Sequence, residues 1–251
     1  MRGRVGAVVA LGAIAGLVGC GGAGDDVAPT PEEATKAEPE PARTTPGALK
    51  RPPLRAGQFS AQLKRSVWVR AWPGGKPVGT LKTRTKFGSR TALAVVSARP
   101  GWLGVLTELP PNGRIRWIPA SAARLERQPY RIRIDLSRRD LSITRGSTQV
   151  RAFKVAVGKP GTETPRGRFG VTDTLKFAPG GPYGCCAIAL TAHQTDVPSH
   201  WTGGTQVAIH ATPDESVMGQ AVSLGCVRTR QTDARWMLKN IPAGAMVTVV
   251  A

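Results

Sequence analysis

Short apolar runs, separated by turn residues, occupy residues 59–128. The runs lie at 67–71, 92–97, 102–106 and 116–118, and Pro- and Gly-rich turns stand between them at 73–75, 100–101 and 110–113. Short strands divided by such turns are typical of compact antiparallel β structure. This block is therefore predicted to be a small β-barrel.

The remaining residues, 129–251, also begin as β structure. Apolar and polar positions alternate at 130–136, 140–144 and 150–157, which predicts three strands. One helix is expected at 232–240, with Thr232 or Asp233 as its cap and Pro242 and Gly244 ending it before a last strand at 245–250. No repeat of 20 to 50 residues occurs, which argues against a solenoid or a propeller.

The first twenty residues have the pattern of an export signal. Arg2 and Arg4 precede an uncharged apolar run at 5–19, which is too short to span a bilayer comfortably. The run ends in LVGC, which resembles the lipobox of bacterial lipoproteins and makes Cys20 the expected lipidation site. An ordinary cleaved signal with a chance cysteine is the alternative. The expected location is extracytoplasmic, with a lipid anchor in the outer face of the bacterial cell membrane.

Residues 21–58 are rich in Gly, Ala, Thr, Pro and acidic residues and carry few large apolar side chains. Such a segment buries too little surface to offset the entropy cost of ordering it. It is predicted to be a disordered tether between the membrane and the folded part.

The chain is strongly basic. It has 35 Lys and Arg against 16 Asp and Glu, a formal charge of +19, and most of the excess lies beyond residue 58. A field of this sign attracts polyanions. Behind an export signal these are phospholipid head groups and anionic wall polymers, whereas a basic surface with no dedicated partner is the alternative. Nucleic acid is not expected as a partner, because export removes the chain from it and no basic helix or stacking motif is present.

The cysteines predict one free thiol. If Cys20 is lipidated, three cysteines remain, so at least one is unpaired. The adjacent Cys185 and Cys186 could form a vicinal disulfide or be two small buried apolar residues, and we expect the second. The three histidines are not spaced with cysteines as zinc ligands are, so no metal site is expected. Cys226 is the thiol of interest.

Residues 206–230 carry the candidate chemistry. An apolar strand ends at His210, and Cys226 follows Gly225, which can place the thiol on a tight turn where backbone amides point toward a carbonyl oxygen. A thiol needs a nearby imidazole or positive field to become a nucleophile at neutral pH. His210 can supply it if the intervening loop folds back, although a histidine and a cysteine at this spacing can also be purely structural.

The same segment resembles the YkuD-type catalytic domain of the L,D-transpeptidases. The family signature is a histidine, then some fourteen to seventeen residues, then Ser/Thr-His-Gly-Cys, an aliphatic residue and Arg or Asn. The stretches AVGKPGTETPRGRF at 156–169 and GPYG at 181–184 also resemble the family, so the resemblance covers most of 129–251. The signature positions are matched by His210, Ser223, Gly225, Cys226, Val227 and Arg228.

Two positions depart from that pattern. Leu224 stands where the family has its second histidine, and Ala211 stands where it usually has glycine. Ala211 can still offer a backbone carbonyl to orient the imidazole of His210. The absence of the second histidine is expected to lower activity or to change the acceptor.

Residues 59–128 resemble a bacterial SH3-like domain through SVWVRAWPGG, GWLGV and NGRIRWIPASAARL. The resemblance implies contact with wall peptides or packing against a catalytic neighbour. Trp102 and Trp117 could stack on a ligand, but packing in the core is the expected role. The expected fold class is thus mainly β: an SH3-like β-barrel at 59–128, then a β-sandwich-like catalytic domain at 129–251 with one or two short helices.

The resemblance implies a peptidoglycan L,D-transpeptidase without a cofactor. Cys226 would attack the third residue of a donor stem peptide and release D-alanine, with His210 as the base. Gly225, Ser223 and Ala211 would support the oxyanion and the imidazole, and Arg228 would bind substrate. His193 could contribute to the cleft, although a surface or packing role is the safer expectation for it, as for His200.

Two alternatives to this function remain. Leu224 makes a weak or inactive relative that binds the wall the main competitor. A generic cysteine protease would need different residues around the nucleophile.

Overall fold

The computed structural model describes residues 55–178 and 180–251. Seven strands form the first sheet in the order β3-β2-β6-β5-β4-β1-β7, and each neighbouring pair is antiparallel. Its strands are β1 (Phe59–Leu63), β2 (Val67–Arg70), β3 (Pro77–Leu81), β4 (Ala92–Arg99), β5 (Trp102–Leu106), β6 (Ile115–Pro119) and β7 (Ala123–Arg127).

Alternation of buried and exposed side chains is clearest in β2. In β2, Val67 and Val69 are buried while Trp68 between them is exposed, because successive side chains point to opposite faces of a strand. The buried face contributes to one apolar cluster with β1, β4 and β5. Trp102 and Trp117 are only partly buried, so the core role expected for them is wrong; the guanidinium of Arg70 lies 5.9 Å from the Trp102 ring centroid.

The second sheet has eight strands in the order β10-β9-β8-β17-β12-β13-β14-β16. A two-stranded parallel pair, β11 with β15, accompanies it. The strands of this part of the chain are β8 (Tyr130–Asp135), β9 (Asp140–Arg145), β10 (Thr148–Lys154), β11 (Val157–Gly158), β12 (Gly167–Lys176), β13 (Cys186–His193), β14 (Gln206–Ala211), β15 (Ala221–Ser223), β16 (Val227–Thr229) and β17 (Met246–Val250).

One α-helix, α1 (Gln231–Asn240), follows β16 and buries Ala234 and Met237. Its start differs from the prediction. The N-cap is Arg230, which makes no side-chain capping bond, and Glu215 Oε1 instead accepts the backbone N–H of Gln231 at 2.9 Å. Thr232 and Asp233 lie inside the first turn, so the predicted cap is wrong. The carboxylate of Glu215, sixteen residues before Gln231, instead accepts a hydrogen bond from the N-terminus of the helix.

The fold class expected from the sequence, mainly β with a short helix, is confirmed. The core of the second sheet is apolar and centres on Phe169, Ile132, Ile188 and Ile209. No helix of the described residues is both long and apolar enough to cross a membrane. The predicted signal with Cys20, and the tether up to residue 54, lie outside the described residues.

The two sheets contact each other directly. Gln128 Nε2 donates to Ser60 Oγ and to Ala243 O, at 3.0 Å each. Thr85 Oγ1 donates to Asp173 Oδ1 at 2.6 Å. Polar bonds therefore tie the first sheet to the one that carries the candidate site.

Candidate active site

A tight turn between β15 and β16 carries Cys226. Gly225 in this turn has φ +109°, a conformation that residues with a Cβ rarely adopt, and a Cβ there would lie 2.9 Å from the Gln194 side chain. The Ser223 hydroxyl accepts the Gly225 N–H at 3.2 Å and donates to the carbonyl of Cys226. Ser223 thus holds the turn that presents the thiol.

These contacts change the role expected for Gly225. Its N–H is bonded to Ser223 Oγ, so in this state it is not free to stabilise an oxyanion. Gly225 instead supplies the backbone conformation of the turn, and Ser223 supports the site through hydrogen bonds within the chain.

Cys226 and His210 are placed by neighbouring strands. β14 and β16 are parallel, with Ile209 opposite Val227 and His210 opposite Arg228. The Ala208 N–H of β14 points at the Cys226 Sγ from 3.4 Å. Both side chains line one cavity of about 110 Å³, and Arg228, Leu224, Ser223 and Tyr183 line it as well.

The hydrogen bond of the imidazole defines its tautomer. His210 Nδ1 lies 2.6 Å from the carbonyl oxygen of Ala211. A carbonyl can only accept, so Nδ1 carries the hydrogen and Nε2 of the neutral ring keeps its lone pair. The backbone oxygen of Ala211 is therefore the group that fixes the orientation of the ring in this structure.

Tyr183 and Gly184 complete the support of the imidazole. The Tyr183 ring meets the His210 ring edge to face, with centroids 4.9 Å apart and planes at 78°. A Cβ on Gly184 would lie 2.6 Å from Ala211 Cβ, so only glycine lets this loop approach β14 so closely. The sequence contained GPYG, but nothing in its pattern indicated that the tyrosine faces His210.

Burial keeps both reacting groups neutral at rest. His210 is 4% exposed, and burial lowers its pKa to about 4, against a smaller raising effect of the bond to Ala211. Burial likewise raises the pKa of the Cys226 thiol, with the Ala208 N–H and Arg228 acting in the opposite direction. The resting state is thus a thiol and a neutral imidazole in one cavity.

Arg228 is the one Lys or Arg among the residues that line this cavity. It is half-buried on β16, directly opposite His210. Val197, Trp201 and Leu224 add apolar surface to the lining. A peptide with a carboxylate fits such a lining, because the guanidinium can pair with it while the walls contact uncharged parts.

His193 lies outside the lining of this cavity. Its Nδ1 is 2.9 Å from Thr205 Oγ1, and its Nε2 is 3.7 Å from Glu108 Oε2 of the first sheet. Asn112 clasps its backbone: Oδ1 accepts the His193 N–H at 2.9 Å and Nδ2 donates to the His193 carbonyl. Thr205 does line the cavity, so His193 touches the site through its side-chain contact with that residue, and His200 is exposed.

The adjacent cysteines differ from the expectation. Cys185 and Cys186 form a vicinal disulfide instead of two free buried thiols. Cys186 is fully buried beside Ala211 and Ala234. The disulfide therefore lies next to Ala211, whose carbonyl accepts the hydrogen bond of His210. Cys226 is the free cysteine of the described region, where no group of three or more His, Cys, Asp or Glu is arranged to hold a metal ion.

Comparison with known proteins identifies the family. Residues 129–249 match the family model of the YkuD L,D-transpeptidase catalytic domain. The YkuD protein of Bacillus licheniformis, named as an L,D-transpeptidase, is 30% identical over 174 residues, which cover 69% of this chain and 95% of that one. The YkuD protein of Bacillus subtilis is 29% identical over 121 residues, covering 48% and 66%.

Solved structures are more distant. L,D-transpeptidase 3 from Mycobacterium tuberculosis, in complex with a faropenem-derived adduct, is 15% identical, with a TM-score of 0.42 over 55% of this chain and 73% of that one. At this distance the likeness adds nothing to the assignment. The match at 129–249 and the relatives in Bacillus carry it, and by them the chain belongs to the L,D-transpeptidase family.

Proposed function

We propose that the chain is an active peptidoglycan L,D-transpeptidase that joins third-position residues of two stem peptides. The observation that carries the proposal is the pairing of groups in one cavity. The free thiol of Cys226 and an imidazole whose Nε2 has its lone pair available both face the same space. Family membership supplies the substrate class, peptidoglycan.

Acylation starts from the neutral pair. The Cys226 sulfur attacks the carbonyl carbon of the third stem residue while its proton passes to His210 Nε2. The bond to terminal D-alanine then breaks, and the imidazolium returns the proton to the leaving amine. A thioester at Cys226 remains.

The second half-reaction reverses the roles. The side-chain amine of an acceptor stem attacks the thioester, His210 takes the proton from that amine, and the thiol is regenerated. Water in place of the amine gives hydrolysis, a carboxypeptidase activity. No cofactor enters either step.

Charge development decides where stabilisation is needed. The resting pair is neutral, so the oxyanion and the imidazolium both form during the reaction. We assign the Cys226 N–H as an oxyanion donor, because the Gly225 N–H is already bonded to Ser223. Arg228 is assigned to a carboxylate of the stem peptide, where a planar bidentate donor is effective.

The proposed place of action is the outer face of the membrane. Residues 1–20 would be a lipoprotein signal with Cys20 as the lipidated residue, 21–58 a tether, 59–128 an SH3-like domain and 129–251 the catalytic domain. Anionic wall polymers are proposed as additional partners of the basic surface. Labelling of the full chain by a fatty acid, and its loss in Cys20→Ser, tests the anchor.

The function is tested with the purified protein and a tetrapeptide stem. Mass spectrometry is expected to detect released D-alanine and a Cys226 adduct heavier by the acyl group. Cys226→Ala should give neither while keeping the same thermal unfolding midpoint, and equal turnover in that variant contradicts the proposal.

A weak or inactive wall-binding relative is the second candidate. The observation that favours it is Leu224, which lines the cavity where the family has a histidine. Binding to purified wall without D-alanine release or adduct formation in the wild-type chain would favour this candidate.

A further inference from the structure

A basic depression lies on the first sheet, remote in sequence from the cavity at Cys226. It has a volume of about 530 Å³, within the range of small-molecule sites, roughly 300–1,000 Å³. Four of its seven lining residues are cationic, and no carboxylate lines it. The four are Lys64, Arg84, Arg90 and Arg124.

The backbone directs these cations to one place. Arg84 and Arg90 face each other across an antiparallel bridge in the hairpin that follows β3. Arg124 of β7 is paired with Gln62 of β1, and Lys64 follows β1 directly. Two separate pieces of the sheet therefore each bring cations to the same depression.

This arrangement is costly without an anion. Like charges directly opposite each other on strands are destabilising, which is the relation between Arg84 and Arg90. Little negative charge lies nearby, since residues 59–128 hold 13 Lys and Arg against only Glu108 and Glu126. Glu126 pairs with Arg124 at the surface, where ion pairs contribute little, and Glu108 faces His193.

We propose that this depression binds phosphate groups of a linear anionic polymer. Guanidinium groups bind phosphate oxygens through two parallel hydrogen bonds, and an ammonium group adds a point charge. All four cationic side chains are exposed, so a polymer can reach them. The proposal goes beyond the transpeptidase reaction and rests on the proposed location only for the source of the polymer.

A polymer fits the depression better than a membrane surface. Its one large apolar lining residue, Leu63, is 5% exposed and cannot enter a lipid layer. Phe87 at the hairpin tip is exposed but does not line the depression, and the Lys86 ammonium lies 5.2 Å from the centroid of its ring. A flexible chain can place several phosphates in one concave site, and the absence of an exposed apolar lining residue leaves nothing to insert into a lipid layer.

The test is the affinity of the full chain for a fluorescent poly(glycerol phosphate) oligomer at physiological salt, measured by anisotropy. Arg84→Gln with Arg90→Gln is expected to weaken binding at least about tenfold, as loss of charge-assisted hydrogen bonds does. The matched control is Lys76→Gln with Arg99→Gln. It removes the same charge from exposed positions outside the depression and should weaken binding less than about threefold.

Three results would overturn the site. The first is equal weakening of polymer binding by both double substitutions, which would mean diffuse electrostatic attraction. The second is that the wild-type chain does not bind the polymer. The third is that Arg84→Gln with Arg90→Gln abolishes binding to phosphatidylglycerol vesicles but leaves polymer binding unchanged. The oligomer assay needs no turnover, and the Cys226→Ala chain should bind as the wild type does. A failure of the transpeptidase proposal is therefore distinguishable from a failure of this one.

Discussion

Burial of His210 should be measurable as a dependence of stability on pH. The folded chain holds the pKa of this imidazole at about 4, against 6.5 when it is exposed, because burial disfavours the charged ring. Between these values the unfolded chain binds a proton that the folded chain does not. Stability therefore falls as the pH drops from about 6.5 to about 4, and it levels off below that.

The magnitude follows from the shift. One pKa unit corresponds to about 1.4 kcal/mol, so His210 should remove about 3 kcal/mol of unfolding free energy between pH 7 and pH 4. His210→Gln has no group that titrates there. From pH 7 to pH 4 the wild type should therefore lose about 3 kcal/mol of unfolding free energy relative to this variant.

The assay is urea unfolding followed by tryptophan fluorescence at several pH values between 7 and 4, with linear extrapolation. His193 and His200 are present in both proteins, so their contributions cancel in the difference. A stability difference that stays constant over this range would mean that the imidazole is solvated in the folded chain. The neutral resting pair, and the mechanism built on it, would then be wrong.

Three further variants test the site. Leu224→His should raise the rate of D-alanine release or broaden the acceptors used, because it restores a polar ring to the cavity lining, and unchanged products and rates would refute this. Gly225→Ala should cost about 1–3 kcal/mol of stability and most of the acylation rate by mass spectrometry, whereas Gly146→Ala, at a positive φ with open space around it, should keep acylation. Asn112→Ala should raise KM for the donor stem about two- to tenfold in steady-state assays. The substitution removes the two hydrogen bonds that hold the His193 backbone, and the His193 ring in turn contacts Thr205 in the cavity lining. A change in kcat alone would argue against this effect on substrate binding.

Local patterns in the sequence predicted about half of the strands. The apolar run at 67–71 and the alternation at 130–136 both fall on strands, and these signals need no knowledge of the rest of the chain. The helix was expected at 232–240 and occupies Gln231–Asn240. Its cap was missed because the acceptor, Glu215, lies sixteen residues away in the sequence.

Contacts across long sequence separations account for what the sequence did not predict at the site. The clasp of Asn112 on His193 spans 81 residues and joins the two sheets. The disulfide of Cys185 and Cys186 is a different case: the two residues are adjacent, and composition does not distinguish a bonded pair from two buried thiols. Cys226 and His210 were found through the family resemblance, and their catalytic roles stay predictions until the D-alanine assay is done.

The pairing of β14 with β16 places Cys226 and His210, the proposed nucleophile and base, on neighbouring strands. Through this pairing Ala208 faces the Cys226 sulfur, and Ala211 lies opposite Thr229, whose carbonyl accepts the Thr212 N–H at 3.2 Å. The same stretch of β14 thus holds the thiol with one amide and, three residues later, the His210 ring with one carbonyl. Burial keeps the His210 ring neutral, and the Ala211 carbonyl places its one proton on Nδ1, which leaves Nε2 unprotonated. A change that shifts the register of β14 against β16 should therefore disable the base and misplace the nucleophile together.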